Sequence, residues 1–232
     1  MRKAGLIFTI LLTLLVNAHT QNSLLPSFRS NRSIADLYYS DGGAKGTRYL
    51  FGNDWVKGIV LLENNDLVSN DSLRFNMDKI SQTLFITRDL RTIEEIDKKE
   101  FKAVTFYQND SVYVFEHVNL INDKKLFQLI IKSETHYSLF KLLHTGLKKV
   151  YYTSKDPKEG ERNYDEFVDA PEYYIIFPNK EIRSFFNLKK NAVERIFTLH
   201  QDVDRVRAYL ANYSGDKIDE SSLKNLILYL NN

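Results

Sequence analysis

From Arg48 to Phe177 the chain alternates short apolar runs with polar turns, and the rhythm is that of strands. The runs are Tyr49 to Phe51, Gly58 to Glu63, Ser72 to Phe75, Gln82 to Thr87, Thr92 to Ile96, Phe101 to Tyr107, Val112 to Val118, Leu126 to Lys132, Tyr137 to Leu143, Leu147 to Tyr152 and Tyr173 to Phe177. They are rich in Val, Ile, Phe, Tyr and Thr, residues that fit a pleated, half-buried surface. The links between them carry Asn and Asp, which tolerate left-handed backbone and bond their own main chain. Links this short join antiparallel neighbours, because a parallel pair needs a crossover of about a dozen residues or more.

Beyond Asn179 the period changes. Val193, Ile196 and Phe197, then Val203, Val206 and Leu210, then Leu223, Leu226, Ile227 and Leu230 recur at helical spacing. Gly215 is placed to end the second of these helices, and Asp219 or Ser221 to begin the third. The predicted fold is α+β: an antiparallel β-meander, as an open barrel or sandwich-like sheet, followed by three C-terminal α-helices.

The ends of the pattern define its boundaries. Residues 1–20 begin with Arg2 and Lys3, continue through an apolar run from Ala4 to Val16, and close on the small residues Ala18 and Thr20. That is the layout of a secretory signal peptide, shorter than the ~20 apolar residues of a membrane span. Residues 21–47 read as a flexible leader or partly docked arm, residues 48–178 as the antiparallel β domain, and residues 179–232 as a helical region packed on the sheet. The charged stretch from Thr153 to Glu172 reads as a mobile linker or surface flap, with a ligand-contacting loop as the alternative.

Composition narrows the function classes. Removal of the signal takes two basic residues and no acid, so Lys+Arg falls from 32 to 30 and equals the 30 Asp+Glu. A formally neutral mature chain lacks the positive excess on which nucleic-acid binding rests, and no nucleic-acid partner is expected. The chain has no cysteine, which removes thiol nucleophiles, Cys-ligated metals, disulfides and a lipidated cysteine.

Candidate chemistry reduces to a few positions. Past the signal the histidines are His117, His136, His144 and His200. On one strand His136 and His144 lie about 26 Å apart, too far to share a zinc ion bound at about 2.0 to 2.1 Å. Gly42 to Thr47 imitates a phosphate loop, but Gly46 separates Lys45 from Thr47 and a strand follows, so it reads as a turn. No Gly-x-Ser-x-Gly elbow or His-Glu-x-x-His helix occurs, and Glu94 and Glu95 point to opposite faces of a strand. No catalytic residue, metal ligand or cofactor is assigned, and no ligand-binding residue is singled out.

Two softer signals remain. Aromatic residues make up 13% of the chain, with Tyr38-Tyr39, Tyr151-Tyr152 and Tyr173-Tyr174 as pairs; a strand divides each pair between its faces. Outward tyrosines suit a glycan, peptide or lipid, while ordinary sheet packing is the simpler reading. Asp71-Ser72-Leu73 and Asp110-Ser111-Val112 match the Asp-Ser-apolar sequence on which some bacteria attach O-glycans, and read more simply as turns leading into strands. The stretch from His136 to Lys155 reads as a hairpin of two buried strands turning at His144, Thr145 and Gly146, with His144 at its tip.

The order of these features resembles a group of uncharacterised exported proteins of Bacteroidetes-type bacteria. The resemblance lies in the signal ending before Gln21, in Gly46-Thr47-Arg48-Tyr49-Leu50, in Leu73-Arg74-Phe75-Asn76, and in Phe140 to Leu147. It continues through Tyr173-Tyr174-Ile175-Ile176 to Leu228-Tyr229-Leu230-Asn231. It implies export and carries over no functional residue.

The expected function is therefore an exported, non-enzymatic binding or envelope-assembly protein, periplasmic, at the cell surface or secreted. Its partner would be a protein, glycan or lipid of the cell envelope, with no transmembrane segment after signal removal. A periplasmic carrier of a lipid or other apolar ligand is the alternative, and an envelope hydrolase the weaker one.

Overall fold

The computed structural model describes residues 29–39, 43–153, 161–198 and 201–232; the expected signal peptide and His200 lie outside these residues. The protein is mostly antiparallel β-structure with a few helices, and its sheets do not close into a barrel.

An eight-stranded sheet forms the backbone of the fold. It is built from β2 (Lys57–Leu62), β3 (Leu67–Val68), β7 (Phe101–Gln108), β8 (Ser111–Val118), β9 (Asn122–Ile131), β10 (Ser138–Leu142), β13 (Glu172–Ile176) and β14 (Ile182–Phe185), in the order β14-β13-β10-β9-β8-β7-β2-β3. A four-stranded sheet combines β1 (Arg29–Ser33), β4 (Arg74–Met77), β5 (Leu84–Thr87) and β6 (Thr92–Ile96). β11 (Thr145–Thr153) and β12 (Glu161–Asp169) pair with each other as a two-stranded ribbon, outside the two larger sheets.

One row of register partners crosses the large sheet: Val68, Val60, Val104, Phe115, Gln128, Lys141, Tyr173 and Phe185. Register partners share a face, so this row samples one side of the sheet from edge to edge. At one end its members pack with Phe75, Met77, Leu84, Ile86 and Ile96 of the smaller sheet. At the other end Tyr173 and Phe185 pack with α2 (Lys190–Ile196), α3 (Val203–Ala211) and α4 (Glu220–Leu230). Between the two covers the row becomes polar, at Gln128 and Lys141.

The helices depend on this burial. They have 7, 9 and 11 residues, and helices shorter than about 12–15 residues are marginal alone. Val193, Phe197, Val206, Leu223, Leu226 and Ile227 are fully buried against the sheet, each worth about 1.5–3 kcal/mol relative to exposure. Asp219 caps α4 by accepting from the Ser222 amide at 2.7 Å. α3 ends at Ala211, before Gly215, which instead supplies a positive φ of 83° in the following turn.

Tyr137 fastens the helical layer to the sheet. Its backbone exchanges two hydrogen bonds with the Asn231 side chain, at 2.9 and 3.0 Å, and its hydroxyl donates to Asp202 at 2.6 Å. Burial, together with that carboxylate, pushes its hydroxyl pKa well above the usual phenol value.

Several sequence expectations are corrected. β10 and β11 do not form a hairpin: β10 pairs with β9 and β13, while β11 turns away to pair with β12. Gly146 does not carry a positive φ. The charged stretch after Thr153 is not a loop throughout, since Glu161–Asp169 is a strand in register with all of β11. Within residues 21–47 the described part is docked, in keeping with the partly docked arm: β1 pairs with β6, and α1 (Ile34–Tyr39) buries Leu37, whose carbonyl accepts from Tyr49 at 3.0 Å. Tyr49 forms an isolated bridge to Asp78 and Leu50 and Phe51 a turn, in place of the expected strand.

Ile227 is buried and its neighbour Leu228 is 42% exposed. Ile227→Ala is expected to cost about 2–5 kcal/mol and Leu228→Ala under about 0.5 kcal/mol, measured by urea denaturation; equal costs would contradict the placement of α4.

Candidate functional site

The turn between β4 and β5 reaches over to β9. There the buried Gln82 side chain donates to the Leu126 carbonyl at 2.9 Å and accepts from the Leu126 amide at 3.0 Å. This two-point link holds Lys79 and Ile80 near the end of β10, where the chain leaves the large sheet for the ribbon. The resulting open cleft, of about 150 Å³, is lined by Lys79, Ile80, Gln82, Lys98, Lys125, Leu142, Leu143, His144 and Thr145.

The cleft's cations are not equivalent. Lys79 is buried, and its ammonium meets both Asp169 oxygens, at 2.7 and 2.8 Å. Thr145 donates to the same carboxylate at 2.6 Å, so the base of the ribbon is tied to the β4–β5 turn. Lys98 and Lys125 are half-buried and form no ion pair among the described residues.

At the cleft's edge His144 Nε2 lies 3.3 Å from Glu172 Oε2. Burial alone would raise the Glu172 pKa, but hydrogen bonds from Tyr174, Ser184 and His144 outweigh it and hold the carboxyl below its ordinary range. Burial and the Glu172 carboxylate push the Tyr174 hydroxyl well above its usual value. The register explains the cluster: Glu172 lies opposite Leu142, and Tyr174 opposite Ser184. Phe186, 65% exposed, stands beside it with its ring centroid 6.5 Å from that of His144.

The other histidines are dispersed. His117 donates through Nε2 to the Lys98 carbonyl at 2.7 Å, which leaves Nδ1 buried with no partner among the described residues. This bond pins the loop after β6 to β8, and so helps to place Lys98. His136 lies in an exposed turn, with Nδ1 2.8 Å from the Thr135 hydroxyl. No group of three His, Asp or Glu side chains among the described residues is placed to hold a metal ion.

The remaining candidates resolve into local structure. Glu95 pairs with Arg32 at 3.6 Å, while Glu94 is the register partner of Ile86 and keeps one carboxylate oxygen buried with no partner among the described residues. The imitation phosphate loop docks on the ribbon: Lys45 bridges Glu166, and its ammonium sits 3.7 Å from the Tyr164 ring centre. A side chain at Gly46 would meet the Phe167 carbonyl at 3.1 Å, and the φ of +75° favours glycine there as well. Ser72 lies in an exposed turn leading into β4, and Ser111 is the exposed first residue of β8, opposite Gln108.

A second open groove, of about 320 Å³, lies at the polar seam between the two covers and is lined by Val112, Gln128, Leu129, Ile130, Glu220, Ser221 and Lys224. Beside it, Lys141 and the Tyr173 hydroxyl both donate to one Glu220 oxygen, at 2.7 and 2.9 Å.

Fold and site together define a mostly antiparallel β protein with a basic surface cleft and no helix, among the described residues, long and apolar enough to cross a membrane. No family model matches the chain, and comparison with curated proteins and with solved structures also gives no match.

Glu172 contributes stability as an ionised acceptor. Its pKa is depressed by folding, so that contribution is present above the ordinary carboxylate range and fades as pH falls through the lowered value. Glu172→Gln is expected to cost about 1–3 kcal/mol at pH 7 and less as the pH is stepped down to about 3, by urea denaturation; a pH-independent cost would contradict this origin.

Proposed function

We propose that this is an exported, non-enzymatic binding protein, acting in the periplasm or at the cell surface, that holds an anionic group of its partner in the Lys98–Lys125 cleft. The observation that carries the reading is the charge balance of the walls. Lys79 is neutralised by Asp169, whereas Lys98 and Lys125 face the same concavity with no carboxylate partner among the described residues. Uncompensated cations in a cleft focus the local field and attract an anion. The volume of about 150 Å³ fits a single carboxylate, sulfate or phosphate group and is below the ~300 Å³ at which pockets for whole small molecules begin. The group would therefore be displayed by a larger envelope component. Export rests on the signal-like residues 1–20.

The carrier alternative has less support. Phe177, Phe197, Val193, Val206, Leu223 and Ile227 fill the space between sheet and helices where an acyl chain would lie. The hydrolase alternative rests on one specific feature, the His144–Glu172 pair at the cleft edge, in which a carboxylate orients an imidazole. Against it, the Ser184 and Tyr174 hydroxyls donate to Glu172, so neither is engaged by His144 as a nucleophile.

Titration with sodium phosphate against chloride at matched ionic strength, followed by NMR, tests the binding reading. The expected result is saturable shifts at Lys98, Lys125, His144 and Thr145, weakened at least ~tenfold in a Lys98→Ala/Lys125→Ala variant. Shifts centred elsewhere, or unchanged in the variant, would overturn it. Turnover of p-nitrophenyl phosphate or p-nitrophenyl acetate that is lost in His144→Ala would instead establish the hydrolase.

A further inference from the structure

Among the described residues the β11–β12 ribbon has one edge bridged by Lys45 and one open edge, and the bridged edge identifies what the open one offers. Lys45 donates to the Asp165 carbonyl at 2.8 Å and accepts from the Phe167 amide at 2.9 Å. The backbone groups of Asp165 and Phe167 therefore point away from β11. In an antiparallel ladder the residues opposite such positions also turn their N–H and C=O groups outward. Those partners are Lys149, opposite Asp165, and Leu147, opposite Phe167; Tyr151, two residues on, continues the row opposite Asn163. The outer edge of β11 thus presents the N–H and C=O groups of Leu147, Lys149 and Tyr151, and no described backbone group bonds to them.

Their side chains share one face. Leu147 is 56% exposed and Tyr151 is 73% exposed, with the exposed Lys149 between them. Lys148, on the opposite face, is exposed too, and neither lysine forms an ion pair among the described residues. β11 contains two lysines and no acid, whereas β12 carries Asp165, Glu166 and Asp169. Two copies meeting antiparallel through β11, centred on these lysines, would set Lys against Lys, which disfavours self-pairing. An apolar or basic strand would likewise find no charge complement.

We infer that the open edge of β11 is a strand-addition site for an extended acidic segment of a partner protein, with the pattern apolar-acidic-acidic-apolar set opposite Leu147, Lys148, Lys149 and Val150. Main-chain hydrogen bonds to Leu147, Lys149 and Tyr151 supply the affinity, and the lysine pair selects the sequence. Lys45 on β12 is the ribbon's own precedent on a one-residue scale, since its backbone docks there through two hydrogen bonds. The site is separate from the cleft and does not rest on its reading.

A blocked, fluorescein-labelled peptide Ser-Val-Glu-Glu-Val-Val-Ser tests the inference by anisotropy with the full chain. Saturable binding is expected, with NMR shifts centred on β11. The same peptide N-methylated at alternate residues, and its Lys-Lys counterpart, should each bind at least ~tenfold more weakly. Lys149→Pro removes an outward N–H without touching the β12 ladder, so it should abolish binding while leaving the unfolding transition in place. Lys148→Glu/Lys149→Glu should reverse the preference between the acidic and basic peptides without altering any backbone group. Equal binding of the N-methylated peptide would reduce the contact to charge alone and overturn strand addition. Unchanged β11 shifts, or self-association of the peptide-free protein that protects the same edge, would overturn the site.

Discussion

One face of the eight-stranded sheet has to be covered from edge to edge, and neither cover is wide enough to do so alone. The four-stranded sheet closes over Val60, Val104 and Phe115, and the helices close over Tyr173 and Phe185. The row that joins these residues also contains Gln128 and Lys141, so the chain places polar side chains where the covers part. The Lys141–Glu220–Tyr173 link then satisfies the charge at the seam and ties α4 to the sheet. Removing either cover would expose a continuous apolar half-face, at about 25 cal/mol per Å². The two layers are thus held to a common sheet rather than chiefly to one another.

The candidate surfaces lie outside this core and derive their positions from it. Buried Gln82 links the β4–β5 turn to Leu126, and buried Lys79 reaches from that turn to Asp169 at the base of the ribbon. A two-stranded ribbon is marginal alone. Here it is held by the Lys79–Asp169 pair, the Thr145–Asp169 bond, the Ala170–His144 backbone bond and the Lys45 docking. The same links set the walls of the basic cleft. Cleft and ribbon edge therefore share their supports while presenting different chemistry: a side-chain cation pair in one, a row of backbone donors and acceptors in the other.

What the sequence revealed follows from what each element buries. β6 has the bounds its short apolar run predicts, Thr92–Ile96, because Ile93 and Ile96 face two different cores. The helical spacing of Leu223, Leu226, Ile227 and Leu230 likewise marks a real buried stripe. β1, Arg-Ser-Asn-Arg-Ser, has no apolar residue and exists through its pairing with β6. β12 is charged because a ribbon with little buried surface needs no apolar face, so its sequence looks like a loop. The hairpin expected at Gly146 failed because alternation reports burial and not partners. β10 instead finds β13 some thirty residues downstream. Of the cleft and cluster residues, the local pattern singles out His144 and Thr145, as the tip of that hairpin, and Tyr174, as one of an aromatic pair. Glu172, Tyr174 and Ser184 are brought together by long-range register, and Lys79, Lys98 and Lys125 by the Gln82–Leu126 and His117–Lys98 bonds, which leave no local motif.

One shared sheet face makes both covers a single cooperative unit, with the ribbon outside it. Native-state amide hydrogen exchange tests this most directly. The amides of Val104, under the four-stranded sheet, and Ile175, under the helices, should open with the same free energy as global unfolding, while those of the β11–β12 ribbon open at far lower cost. Separate opening free energies for Val104 and Ile175, or ribbon amides as protected as the core, would contradict it.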